Sequence, residues 1–261
     1  MYPTPVAVMQ SEQFAEQSEQ LAKRLSISLL QPTPINHITD YPYVLLYTVD
    51  GLVLQQTGKK ADGPVLVDFV KGTNEHRRTM GGGELIVKAV GGDKKNRPKV
   101  LDVTAGVGRD SFVLANAGYS VIALERSPIV FELIRDGLQR ASVHASDDIQ
   151  SIVNRMQLKP MDAFDYLSHQ ARYHPPDVIF IDPMFPESKK SALVKKDMRA
   201  FHRVVGGDQD SDELLVAALD VAIHRVVVKR PKKAVFLAGK KPNLSIDGKA
   251  IRFDVYTKKR F

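Results

Sequence analysis

The chain has 261 residues, 43% of them hydrophobic and 26% charged, with no Cys and no Trp. This composition suits a soluble globular protein with a sizeable core, and the lack of Cys excludes disulfides and thiolate metal sites. The formal charge of +7 suits a polyanionic partner, although a merely basic soluble protein has the same balance. The opening stretch, MYPTPVAVMQSEQ, has no basic start and no long apolar run, so no signal peptide is expected. No run approaches 18 apolar residues, so no membrane span is expected and a cytoplasmic protein is the default.

In chain order, residues 1–70 read as a small β-rich unit. Residues 10–30 form a polar helical stretch with Phe14, Leu21, Leu25 and Ile27 facing inward, broken by Pro32 and Pro34. Residues 43–49 (YVLLYTV) and 52–56 (LVLQQ) flank Asp50-Gly51, a strong hairpin signal, and residues 64–70 supply a third strand. Residues 71–98 are a connector with His76-Arg77-Arg78, the triplet Gly81-Gly82-Gly83, a helix over 84–90 and a basic run at 94–99.

From residue 99 to 261 strands and helices alternate, which predicts a doubly covered parallel sheet, helices on both faces. Strands are expected at 99–103, 120–124, near 157–159, at 177–181 and at 225–229, with an alternating strand at 249–256 closing the chain. Helices are expected from Arg109, from the cap-and-proline pair Ser127-Pro128, at 147–156 and at 211–223.

The first strand of this region runs into a turn, KVLDVTAGVGRD at 99–110. Strand, glycine turn and helix together hold nucleotide-like ligands at a helix N-terminus. A dinucleotide fingerprint has a third Gly where Ser111 stands, and a P-loop needs a Lys that does not follow Gly108. Asp102, Thr104, Ala105, Gly106 and Gly108 resemble instead the S-adenosylmethionine turn of Rossmann-like methyltransferases. An ordinary βα loop in need of glycines is the plain alternative. Glu125 ends the second strand, 23 positions after Asp102, where a carboxylate can accept from both ribose hydroxyls. A solvated Glu paired with Arg126 is the competing reading. Asp162-Ala163, after the next strand, can serve an adenine amino group or cap the helix AFDYL.

The discriminating stretch is Asp182-Pro183-Met184-Phe185-Pro186, directly after the strand DVIFI. An exocyclic base amine is a poor nucleophile because its lone pair is delocalised into the ring. A carboxylate and a backbone carbonyl that accept its N–H groups localise that pair, and the carboxylate or water can take the proton. Phe185 can stack on an extruded base. A proline-stiffened structural loop is the alternative.

This loop is similar to the [D/N]-P-P-[F/Y/W] motif of amino-group methyltransferases, with Met184 in place of the second proline. Together DFV, HRR, GGG, LDVTAGVGRDSF, ALERSP, IDPMFP, KKSALVKKDMR and VVVKRP resemble the bacterial 16S rRNA guanine-N2 methyltransferases of the J type, over roughly residues 40–261. The resemblance implies a Rossmann-like class I methyltransferase fold, S-adenosylmethionine as cofactor, and N2 methylation of one guanosine near the 3′ end of 16S rRNA. The partner is then 16S rRNA or the small ribosomal subunit. By position, Asp102, Gly106 and Gly108 would shape the cofactor pocket, with Arg109 and Asp110 facing the methionine end or the adjoining backbone. Glu125 and Arg126 would serve the ribose region and Asp162 and Ala163 the adenine. Asp182, with Pro183 and Phe185, would mark where donor and acceptor meet.

Lys189, Lys190, Lys195, Lys196 and Arg199 follow the acceptor loop and are the expected phosphate contacts, with His202 and Arg203 next. Arg225, Lys229, Arg230, Lys232 and Lys233 flank the late strand; for any one lysine a solvated face is the alternative. The His residues show no metal spacing, so no metal is expected. A DNA or protein-amide methyltransferase with the same acceptor loop, a dinucleotide oxidoreductase and a non-catalytic RNA-binding module are the rival readings.

Overall fold

A computed structural model describes residues 5–71, 84–93, 95–144, 146–183, 203–204 and 210–261. The elements begin with β1 (Val6–Met9), α1 (Ala15–Leu25), β2 (Leu29–Leu30), β3 (Tyr43–Thr48), β4 (Gly51–Gln56), β5 (Val65–Leu66) and α2 (Glu84–Val90). They continue with β6 (Val100–Asp102), α3 (Arg109–Asn116), β7 (Val121–Leu124), α4 (Pro128–Ser142), α5 (Asp147–Val153), β8 (Met156–Lys159), α6 (Ala163–Ser168) and α7 (Gln170–Tyr173). The last are β9 (Val178–Ile181), α8 (Ser211–Val221), β10 (Arg225–Pro231), β11 (Leu244–Asp247) and β12 (Ile251–Thr257).

The described residues fall into two compact units. The first holds those up to Val67 together with Ser127–Arg140, Arg203 and Val204. The second holds those within Asp68–Arg126, Ala141–Pro183 and Asp208–Phe261. Ser127–Arg140, placed by sequence in the larger domain, thus groups with the N-terminal strands.

The first unit carries a five-stranded sheet ordered β2-β1-β3-β4-β5, with β1 parallel to β2 and β3 and the rest antiparallel. The hairpin turns one residue earlier than the Asp-Gly signal suggests. Thr48 pairs with Gly51, so Val49 and Asp50 form the loop. Gly51, at φ 127°, opens β4 because a Cβ there would collide with the Arg140 guanidinium. Helix α4 is tied to β4 by Asp136, which accepts from the Leu52 N–H at 3.1 Å, and to α1 by Glu132, which pairs with Arg24 at 3.1 Å.

The second unit is built on a seven-stranded sheet ordered β11-β12-β10-β9-β6-β7-β8. Neighbours from β10 to β8 are parallel, and β12 runs antiparallel to both β10 and β11. The chain leaves β6 towards β7 and β8, then returns to β9 on the other side of β6. That reversal opens a crevice at the carboxyl ends of β6 and β9, where α/β sheets bind ligands.

Strand residues alternate between faces. Leu101, Ile179, Ile181, Val226 and Val228 pack with Tyr166, Leu167, Leu214 and Leu215 of α6 and α8 in one buried cluster. The alternate residues face the other way, among them Phe180 and Val227, and on that side Phe112 of α3 lies 5.4 Å from the Phe69 ring. Asp102, Asp182 and Lys229 share the parity of this second set. Because Val228 pairs with Ile181, one further step along the register sets Lys229 beside Asp182.

Candidate active site

The site forms where β6 runs into α3. Gly106 and Gly108 take positive φ, 55° and 73°, which an L side chain adopts only under strain. The turn is tied to β7 by the Ala105 N–H, which donates to the Leu124 carbonyl at 3.0 Å. Next to it the Glu125 carboxylate, 7% exposed, accepts from the Gly106 N–H at 3.0 Å. Glu125 therefore lies against the glycine turn rather than in solvent. A Cβ built on Gly106 would meet nothing nearer than the Thr104 carbonyl at 3.9 Å, so the space beside the turn is open.

Asp102 is 1% exposed and accepts from the Ser111 hydroxyl at 2.5 Å and the Thr104 N–H at 3.1 Å. Burial pushes its carboxyl up to about 7, and those two hydrogen bonds pull partly against that rise. Ser111, the residue that spoils the dinucleotide fingerprint, thus serves to hold this carboxyl.

The third element is a half-buried cation between two carboxylates. Lys229 Nζ lies 2.7 Å from Asp182 Oδ2 and 2.5 Å from Asp110 Oδ2. Burial opposes the charge on Lys229, yet Asp182 and Asp110 outweigh it and hold its pKa above the ordinary lysine range. The Asp182 N–H donates to the Thr104 hydroxyl at 2.6 Å. Asp182 is therefore fixed at main chain and side chain, while its side chain stays 34% exposed, open to a substrate.

Other sequence-predicted residues take more local parts. Asp162 caps α6, accepting from the Phe164 N–H at 2.8 Å, and Ala163 opens that helix within the buried core cluster. Arg126 pairs with Asp210 at 3.2 Å. Arg109 opens α3 and Pro183 is buried. Three late-strand cations turn inward instead of towards a phosphate. Besides Lys229, Arg225 donates to the Ala89 carbonyl and lies 4.5 Å over the Phe261 ring, and Arg230 donates to the Val235 carbonyl. Met184, Phe185, Pro186, Lys189, Lys190, Lys195, Lys196, Arg199 and His202 lie outside the described residues, as do His76-Arg77-Arg78 and the Gly81 triplet.

Sequence reasoning missed the roles of Lys229, Thr104 and Ser111. The one signal for Lys229 was its place at the end of the apolar run VVVK, two residues after the inward Val227.

A carboxylate at the end of β7, a glycine turn after β6 and a clamped acid after β9, set on six strands of one direction and an antiparallel β12, define a class I S-adenosylmethionine-dependent methyltransferase. The chain matches a family of SAM-dependent methyltransferases across residues 28–258. It is 48% identical over 255 residues to ribosomal RNA small subunit methyltransferase J of Cellvibrio japonicus, covering 96% of each chain. It is 46% identical over 242 residues to the protein of that name from Coxiella burnetii, covering 92% of this chain and 91% of the relative. The crystal structure of a SAM-dependent methyltransferase from Neisseria gonorrhoeae superposes with a TM-score of 0.71 at 35% identity, over 97% of this chain and 95% of that one. The chain belongs to the ribosomal RNA small subunit methyltransferase J family.

Proposed function

We propose that this chain methylates the exocyclic N2 amine of a guanosine near the 3′ end of 16S rRNA, presented as free rRNA or in the small subunit. The names of the relatives supply the rRNA class of substrate, and the net charge of +7 supports a polyanion. The guanine and its N2 atom rest on the D-P-M-F acceptor motif and the pattern of motifs around it.

The residues suit S-adenosylmethionine. Glu125 is an acceptor for the ribose hydroxyls, and the open space at Gly106 admits a ligand close to the backbone. Asp102, Gly108, Arg109 and Asp110 would complete the holding groups on the methionine side, Arg126 the ribose region, and Asp162 with Ala163 the adenine side. When bound, the cofactor supplies a methyl group activated on a sulfonium.

The observation that carries the proposal is the double hold on Asp182. A carboxylate paired with Lys229, on a backbone whose N–H is held by the Thr104 hydroxyl, has its orientation set before substrate arrives. It accepts an N–H of the incoming amine, which draws the lone pair out of the ring, and it takes up or relays the proton. The enzyme's own contribution is alignment.

The test uses a deletion strain. Purified protein is given its rRNA, its DNA and its protein extract with labelled cofactor. Label confined to 16S rRNA, and recovered as N2-methylguanosine by mass spectrometry of nucleosides, is the expected result. Label in DNA or protein, or in another nucleoside, contradicts the proposal.

A further inference from the structure

The segment after β10, residues 232–246, carries Lys232, Lys233, Lys240 and Lys241 and no acidic residue. Three buried side chains and one exposed carboxylate pin its backbone. Arg230 donates to the Val235 carbonyl at 2.7 Å, and Arg252 to the Lys232 carbonyl at 2.6 Å. The Tyr256 hydroxyl donates to the Lys240 carbonyl at 2.8 Å, and the Ala238 N–H to Asp212 at 2.6 Å. Burial pushes the Tyr256 hydroxyl up to about 12, so it keeps its donor proton at neutral pH. Arg252 is itself fixed by Asp254, at 2.8 and 3.0 Å, and lies 5.0 Å from the Phe236 ring. Ala238 is held at φ 52°, a left-handed conformation that a non-glycine residue adopts at a cost.

The outward side of this segment is different in kind. Lys233, Lys240 and Lys241 are exposed, and Val235 is 81% exposed. Among the described residues no carboxylate pairs with those three lysines, whereas Lys232 reaches Asp247 at 3.7 Å. Within the same segment a cavity of about 550 Å³ is lined by Ala234, Val235, Phe236, Gly239, Ser245 and Arg252. The segment leaves β10 at Pro231, two residues past the lysine that holds Asp182. Exposed lysines with no acid among them, beside an apolar hollow on a segment that starts at the carboxyl end of β10, match a nucleic acid strand in charge and in apolar contact. A loop kept only for solubility needs neither a left-handed Ala nor four side-chain clamps.

We propose that residues 232–246 form an rRNA-contact surface in which Lys233, Lys240 and Lys241 take phosphates and the cavity seats a base of the strand flanking the target nucleotide. This rests on the rRNA methyltransferase reading given above. Phosphate contacts give affinity and its salt dependence, and the Phe236 and Val235 faces give a base its apolar contact. A volume of this order is within the range of about 300–1,000 Å³ that small ligands occupy.

The test is the triple variant Lys233→Glu, Lys240→Glu, Lys241→Glu, with a Lys→Gln set at the same positions that adds no repulsion should the reversals disturb folding. Binding to an unmodified 16S rRNA transcript is measured across a salt series, with thermal stability and cofactor affinity alongside. We expect unchanged melting and cofactor binding, rRNA affinity lower by about tenfold or more, and a log–log salt slope shallower by about 0.7–0.9 for each phosphate the protein no longer neutralises. Val235→Asp at the cavity mouth should raise the KM for rRNA and leave kcat unchanged. If both lysine sets bind rRNA with the wild-type slope while the wild type methylates it, the surface is refuted and the enzymatic reading stands. If the wild type methylates no rRNA, both fall. Normal behaviour on naked rRNA with a defect only on small subunits would assign the loop to a ribosomal protein and overturn the proposal.

Discussion

Replacing Lys229 with Met keeps most of the side chain's length and removes its charge. The ammonium sits 2.5 Å from Asp110 and 2.7 Å from Asp182, so the substitution leaves two carboxylates facing one another beside the buried Asp102. At an effective dielectric of about 20 each contact is a gross attraction of about 6 kcal/mol, most of it offset by the burial of the charges. Breaking a buried pair from one side costs about 3–5 kcal/mol. Asp182 is 34% exposed and Asp110 16%, so water relieves part of the strain and about 2–4 kcal/mol is expected. Urea unfolding at pH 7 measures this directly. Adding Asp110→Asn to Lys229→Met should restore part of the loss, because it removes one of the two opposed charges. Methyl transfer under single-turnover conditions should fall by about 10²-fold, the scale for a misplaced catalytic group. A Lys229→Met protein with the wild-type urea midpoint and the wild-type rate would refute the view that this lysine sets the acceptor carboxylate.

Asp102 has a carboxyl raised from 3.8 to about 7, so the native state holds a proton that the unfolded state has lost between those values. Its contribution to stability is present at low pH and is lost as pH rises through about 7. Relative to Asp102→Asn, the wild type should therefore lose about 2–3 kcal/mol between pH 5 and pH 8, and parallel stability curves would contradict the burial argument. Glu125→Ala should weaken S-adenosylmethionine binding by about 1.5–3 kcal/mol in calorimetry, and unchanged affinity in the folded variant removes Glu125 from the site. Gly106→Ala should lower stability by about 1–2 kcal/mol through its positive φ alone, since an added Cβ meets nothing close; an unmoved urea midpoint would show that the turn relaxes.

The parts of the site that the sequence displays are those that end apolar runs. Asp102 ends its strand and Glu125 and Asp182 each follow theirs, and the polar residue at such a boundary must face either solvent or the crevice. The glycines of the turn are legible for the same local reason, since positive φ is a property of one residue. Lys229 is of another kind. It becomes a partner of Asp182 only through the pairing of β10 with β9, a contact across 47 positions that no local pattern encodes. The same holds for Gly51, whose place in the hairpin is set by Arg140 from a distant helix. The edge strand β11 is hidden in the sequence because most of its residues are exposed and show no apolar alternation, and β1 because four buried residues are too few to establish a period.

The central claim is that Asp182 acts on the acceptor amine in the transition state. Asp182→Asn keeps the shape and one acceptor oxygen but removes the charge, and Lys229 and Thr104 still hold the loop. Single-turnover methyl transfer to unmodified small subunits, at saturating cofactor, should fall by about 10²-fold or more with rRNA binding near normal. A rate within about threefold of wild type would contradict the mechanism and return the loop after β9 to a structural part.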